Sequence, residues 1–401
     1  MTWLIRGARL IDPQRGQDAV ADLYLADGRI LAQAAAPAGF TPARVIEAHG
    51  LAVLPGLTDL AWRGGADPAR EAQAALSAGV TRVVLPPGQA GIDGPLQALP
   101  LAPLCGPDGR LAEMAHALQD GCVAVAQGDG PLPGNRQLWL AMQYAADLDA
   151  TLWLRPEDAA LAQGGVAAAG PYAARLGLPA VPEEAETVAL QTLFTLQRAT
   201  GARLHLCHLS SAAGLDLLRQ ARRAGLPVTA DATVQHLHLT DLDLGFYDAR
   251  AHLRPPLRSQ RDRDAIAQAL ADGTLDALCS DHCPLDDAAK SGPFALTRPG
   301  ASAVELLLSL TLKWARDQSL PLAQAFACLT SGPARVLRQP AATLAPGAPA
   351  DLCLVDLDDE WLPQLHGLRS VSCQTPFAGM MLPGRVRATF SGGRLSWEMP
   401  A

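Results

Sequence analysis

The sequence predicts an α/β protein: a (β/α)8 TIM-type barrel with a composite β-sandwich module formed by the N- and C-terminal segments. Three observations predict it. From Leu51 to about residue 340, short apolar runs alternate with longer stretches of helical periodicity, the pattern of parallel β/α units that close most economically into a barrel. Both chain ends are strand-like instead. The chain's 401 residues, 49% of them apolar, suffice for one large barrel core and a smaller accessory module.

The elements follow in order. Residues 1–54 supply the N-terminal part of the module, with apolar positions across Trp3–Ile11 and a hairpin signal in Ala21–Leu31, where Asp27-Gly28 suits a type I′ turn. The barrel is expected over 55–339. Its clearest strands are Leu51–Leu60, Val80–Leu85, Cys122–Ala126, Thr151–Leu154, Arg203–Cys207, Pro227–Asp231 and Leu275–Ser280. Helices are predicted at Pro68–Ser77, Leu111–Gln119, Arg136–Leu148, Glu183–Arg198, Ala212–Ala224, Arg261–Ala271 and Ala303–Asp317. The proline- and alanine-rich stretch Gln339–Pro349 reads as a return linker. Residues 340–401 complete the module through Ala350–Asp356, Gly384–Phe390, a Ser-Gly-Gly-Arg turn at 391–394 and a last strand.

Composition narrows the function classes. Net charge is −8 with both signs interleaved, which argues against nucleic acid or an anionic membrane as the main partner. No apolar run is long enough to span a bilayer and the N-terminus lacks a signal-peptide pattern, so a cytoplasmic location is expected. The eight cysteines are scattered and Cys279/Cys283 is a lone C-x3-C, so neither a disulfide framework nor a zinc knuckle is indicated. No P-loop, Rossmann fingerprint or nucleophile elbow occurs.

Five segments carry a resemblance: Leu54-Pro-Gly-Leu-Thr-Asp59, Leu204-His-Leu-Cys-His-Leu-Ser-Ser211, Arg254-Pro-Pro-Leu-Arg258, Cys279-Ser-Asp-His-Cys-Pro284 and Gln374-Thr-Pro-Phe377. Together they resemble the dihydroorotase branch of the amidohydrolase superfamily over nearly the whole chain. That resemblance implies a hydrolytic metal site at the strand ends, where several fixed donors hold zinc and leave one position for hydroxide. The family pattern P-G-L-x-D-x-H-x-H-x-R has its two histidine ligands at Ala61 and Arg63 here, and its substrate-binding arginine at Gly65. After the fifth strand, Arg155 stands where another histidine ligand is implied, and Arg254 replaces the asparagine before Pro-Pro-Leu-Arg. Alanine has no lone pair and arginine remains protonated, so neither replaces a neutral imidazole. His208 matches the sixth-strand histidine and Asp281 the eighth-strand aspartate; Asp129 matches a fourth-strand position only with a one-residue offset.

Two surviving donors on separate strands fall short of a zinc site, and the expectation drawn is a protein that is not an enzyme, with no catalytic residues, no metal and no cofactor. The resemblance implies a non-catalytic dihydroorotase-like subunit of bacterial aspartate transcarbamoylase in pyrimidine biosynthesis, a homodimer within a larger hetero-oligomer with the transcarbamoylase catalytic subunit. The competing reading is a cyclic amidohydrolase with a rearranged metal site using His208, Asp281, His236 and Asp129; a third is a metal-free sensor that keeps the mouth pocket for a ligand. His205, His208, His236 and His238 also read as hydrogen-bonded structural residues, the pair Cys283/His282 as neighbours that do not face each other, and Asp59 as a capping or supporting residue inherited with the scaffold. A formerly metal-bound Asp281 needs a new counter-charge, so Arg63, Arg155 or both are expected to pair with it.

Overall fold

The computed structural model describes residues 1–363 and 367–400. Eight parallel strands form the barrel in sequence order: Leu57–Asp59, Val80–Leu85, Gln97–Pro103, Ala124–Ala126, Thr151–Leu154, Arg203–Leu206, Val228–Thr233 and Ala277–Cys279. The ring is completed between the last strand and the first by lateral contacts just past their ends, where Ala61 O and His282 O accept from His282 N and Arg63 N. Asp59 reinforces this seam. It is fully buried and accepts from Ser280 N at 3.0 Å and from Ser280 Oγ.

Helices return the chain along the outside, including Pro68–Ser77, Asn135–Asp147, Glu184–Thr200, Ala212–Arg223, Gln260–Ala271 and Leu307–Asp317. Their starts follow from local chemistry. Asp67 and Ser211 accept from the first-turn amides of Arg70 and Gly214, while Ser259 and Asp262 form a reciprocal capping box. Leu60, Val84, Leu99, Leu101, Trp153 and Cys279 fill the barrel interior, so the lumen is a packed core and not a pore.

The termini pair in one eight-stranded sheet that joins Trp3–Asp12, Gln17–Ala26 and Ala52–Pro55 to Leu352–Trp361, Leu382–Ser391 and Arg394–Glu398. Its core gathers Trp3, Ile5, Leu10, Leu23, Val53, Leu352, Leu354 and Phe390. Asp27 and Gly28 both take positive φ, as the type I′ hairpin requires. The linker is anchored: Thr343 Oγ1 and Leu344 N donate to the buried Asp12 carboxylate.

Two expectations change. The run Leu51–Leu60 is not one strand: Ala52–Pro55 belongs to the terminal sheet and Leu57–Asp59 to the barrel. The break falls at Gly56, where a Cβ would sit 2.2 Å from Thr81 Oγ1, so the close approach of the two sheets excludes a side chain. The third barrel strand, Gln97–Pro103, was not anticipated; two prolines and no β-branched residue hide it.

Candidate active site at the barrel mouth

The strand ends deliver the site. Arg63 follows the first strand, Asp129 the fourth, Arg155 and Glu157 the fifth, His208 the sixth and Asp281 the eighth. His208 and Asp281 both adopt left-handed backbone, φ 59° and 46°, an uncommon state for residues with side chains that turns each strand end abruptly into its loop. With Arg63, Asp129, Arg155, Arg254, Cys283 and Arg298 they line a cavity of about 220 Å³. An apolar slot lined by Leu60, Trp62, Val84, Leu101 and Trp153 adjoins it.

Arg63 is the centre of the polar network. Its Nη1 lies 3.1 Å from Asp281 Oδ1 and its Nη2 2.7 Å from Asp129 Oδ1. Burial opposes the charge on Arg63, but Asp281 and then Asp129 outweigh it and hold the guanidinium above its ordinary pKa. Partial desolvation opposes the charge on Asp129 only mildly, since its side chain is 71% exposed, and Arg63 overrides it to hold that carboxyl below its usual range. The expected substitution of a guanidinium for the metal counter-charge is therefore present through Arg63. Arg155 is not part of that bridge: its Nη2 donates to Asp129 O at 3.3 Å and its Nε has no partner. Arg254 turns to Glu157, its Nε 3.0 Å from Oε1. Gly65, at φ 54°, lies against Pro284.

The histidines divide sharply. His205 is committed to Thr229 Oγ1 and Asp231 Oδ2, both at 3.0 Å. His236 uses Nδ1 on Thr233 Oγ1 and Nε2 on Pro256 O, and burial lowers its pKa to about 4. His238 is held by Leu310 O and is lowered to about 4 in the same way. The rearranged ligand set with His236 is thus not assembled, because the ring's nitrogens are spent on the fold. His282 is pinned between Glu71 Oε2 and Ala303 N, which removes it as a base for Cys283. Among these rings His208 alone keeps a buried nitrogen, Nδ1, without a partner. Family anchors also prove structural: Glu186 accepts from the amides and hydroxyls of Ser210 and Ser211, and Arg258 Nε donates to Ser210 Oγ.

The donor chemistry tests the metal that the resemblance implies. At the mouth, Ala61, Arg63 and Arg155 offer no lone pair, and the Arg63 guanidinium bonds the Asp281 oxygen that a cation would need. These residues do not fit a resident metal there. One layer deeper, His208, Asp231 and Cys279 bring potential donor atoms within 4.8 Å of one another, as do His205, Cys207 and Asp231.

Comparison with known proteins gives the lineage. The family model described as "Amidohydrolase family" matches residues 189–396. A "Dihydroorotase-like protein" of Pseudomonas putida is 39% identical, with 98% of this chain and 99% of that protein covered. The chain belongs to the amidohydrolase family. A second relative, a "Dihydroorotase" of Anaeromyxobacter dehalogenans, is 35% identical over 98% of this chain and 97% of its own length. Among solved structures, L-hydantoinase (dihydropyrimidinase) from Arthrobacter aurescens superposes with a TM-score of 0.85 at 22% identity, covering 99% of this chain and 96% of that one. Dihydropyrimidinase from Brevibacillus agri gives 0.83 at 21%, over 98% and 95%. These establish the barrel-plus-β-module fold for this amidohydrolase.

One expectation is overturned by these findings. The chain was expected not to be an enzyme, yet relatives above 30% identity that match it end to end carry the name dihydroorotase. The physical reason for the misreading is that missing histidines were equated with a vacant site, whereas the mouth holds a dense set of charged groups around a cavity. Sequence reasoning also missed Glu157 as the partner of Arg254, and Arg298, which reaches the cavity from the loop after the last strand. No local pattern marks either one. Among the described residues no helix is long and apolar enough to cross a membrane.

Proposed function

We propose that this chain is a dihydroorotase-like amidohydrolase that opens a cyclic amide at the barrel mouth. The observation that carries the reading is Asp281, held on a left-handed strand end against Arg63 at the edge of the cavity. Full-length similarity to proteins named dihydroorotase supports it. A ring seats in the apolar slot, with its reactive carbonyl toward the polar half. Water adds to the carbonyl carbon while Asp281 accepts its proton, and the ring C–N bond then breaks as that proton passes to the departing nitrogen. Arg63 supplies the fixed positive charge against which negative charge builds on the carbonyl oxygen. No step passes through a metal. Ring opening of dihydroorotate, dihydrouracil and hydantoin, followed chromatographically, tests the reading. Turnover that disappears in Asp281→Asn supports it, and wild-type protein inert toward all three contradicts it.

Assembly is a second part of the proposal. The resemblance implies association, as a homodimer, with the aspartate transcarbamoylase catalytic subunit. An exposed apolar group on the loop after the seventh strand supports a protein contact, with Phe246 90% and Leu242 62% exposed. Mass measurement of the mixed proteins is expected to give a hetero-oligomer that Phe246→Asp weakens. Absence of any complex would contradict the association.

A further inference from the structure

Arg155 is a buried cation with no carboxylate in direct contact among the described residues. It is 9% exposed, its Nε has no partner, and its one side-chain hydrogen bond is the 3.3 Å contact with a carbonyl. Its neighbours differ. Arg63 has two carboxylates and Arg254 has Glu157, whereas neither Arg155 nor Arg298 has a carboxylate within 4.0 Å among the described residues. Four guanidinium groups at the cavity thus face the three carboxylates of Asp129, Asp281 and Glu157, leaving positive charge in excess.

An unpaired buried charge is costly and persists where something offsets it. Burial, and then repulsion from Arg254, hold Arg155 below its ordinary pKa, and the carboxylates of Glu157, Asp129 and Asp281, none of them in contact with it, offset this only in part. The cavity in front of it has ample room for a small ion or for the charged end of a larger molecule. We infer that the barrel mouth carries an oxyanion subsite built on Arg155 and Arg298, so that the place where related sites are expected to hold a cation takes an anion instead. The ligand class is a phosphate or carboxylate group, for which a guanidinium fork is the matched donor. Chloride lacks the paired oxygens that this fork grips. This inference does not depend on ring opening and holds for a substrate group or for a separate effector.

Thermal unfolding at low ionic strength tests it, with sodium phosphate and sodium acetate titrated against sodium chloride at matched ionic strength. The expected result is a saturable rise in Tm with an oxyanion beyond that with chloride, because a ligand bound only by the folded state stabilises it. Arg155→Gln is expected to abolish the oxyanion-specific rise without lowering Tm in anion-poor buffer, since it removes an incompletely compensated charge. Arg298→Gln, at an exposed position, is expected to weaken the rise without disturbing the fold. The inference is overturned if neither oxyanion acts beyond chloride, or if the rise survives unchanged in both variants.

Discussion

Arg63 Nη1 lies 3.1 Å from Asp281 Oδ1, across the seam where the first and last barrel strands meet. A position implied by family resemblance to hold a histidine ligand has become the cation itself. The Asp281 side chain is only 11% exposed and that of Arg63 26%, so the pair is largely shielded from water. Removing the guanidinium leaves Asp281 charged and unpaired. Arg63→Met is expected to cost about 2–4 kcal/mol, a little below the roughly 3–5 kcal/mol for breaking a fully buried ion pair, because Arg63 keeps some access to water and the exposed Asp129 is rehydrated at little cost. Urea unfolding of the two proteins measures it.

The same relationship predicts how a metal site would be regained. Ala61→His, Arg63→His and Arg155→His combined place three imidazoles beside His208 and Asp281 and remove two positive charges. Zinc binding at close to one or two ions per chain is expected, roughly the stoichiometry that five donors support. Isothermal titration measures it, with the single Ala61→His variant expected to gain little because Arg63 still occupies the Asp281 oxygen.

Acid lability should come from buried neutral histidines. Burial lowers His236, His238 and His252 to about 4, below the ordinary value of 6.5. Their contribution is complete above pH 6.5 and is lost as pH falls toward 4, by roughly 3 kcal/mol each at most. Asp59 acts in the opposite sense: burial raises it to about 6, so its contribution is greatest near pH 4 and declines as pH rises to 6. Three groups outweigh one. Tm should fall between pH 6.5 and 4.5, and His238→Gln should flatten that fall in a thermal scan.

Much of this was legible in the sequence because local chemistry decides it. Val80–Leu85 and Thr151–Leu154 are dense in apolar and β-branched residues and fold as read, and Pro68–Ser77 starts at its Asp67 cap. The Arg63–Asp281 bridge was legible too, since a carboxylate deprived of its cation needs another. What escaped depends on distant partners. The splitting of Leu51–Leu60 at Gly56 is set by the approach of Thr81 and by pairing with Leu352–Val355. Glu157 and Arg254 meet although 97 residues separate them. The commitment of both His236 nitrogens follows from a neighbouring hydroxyl and a carbonyl twenty residues away. The enzyme question was misjudged for a related reason: counting ligands against a pattern says nothing about the groups that come to surround the cavity.

The central claim is that Arg63 and Asp281 serve ring opening where a metal would otherwise be required. Its most direct test is the ring-opening rate of chelator-treated, metal-depleted protein toward dihydroorotate, dihydrouracil and hydantoin. The account predicts turnover of at least one substrate that persists through depletion and is lost in Asp281→Asn. Absence of turnover, or turnover that returns only when zinc is restored, would contradict it.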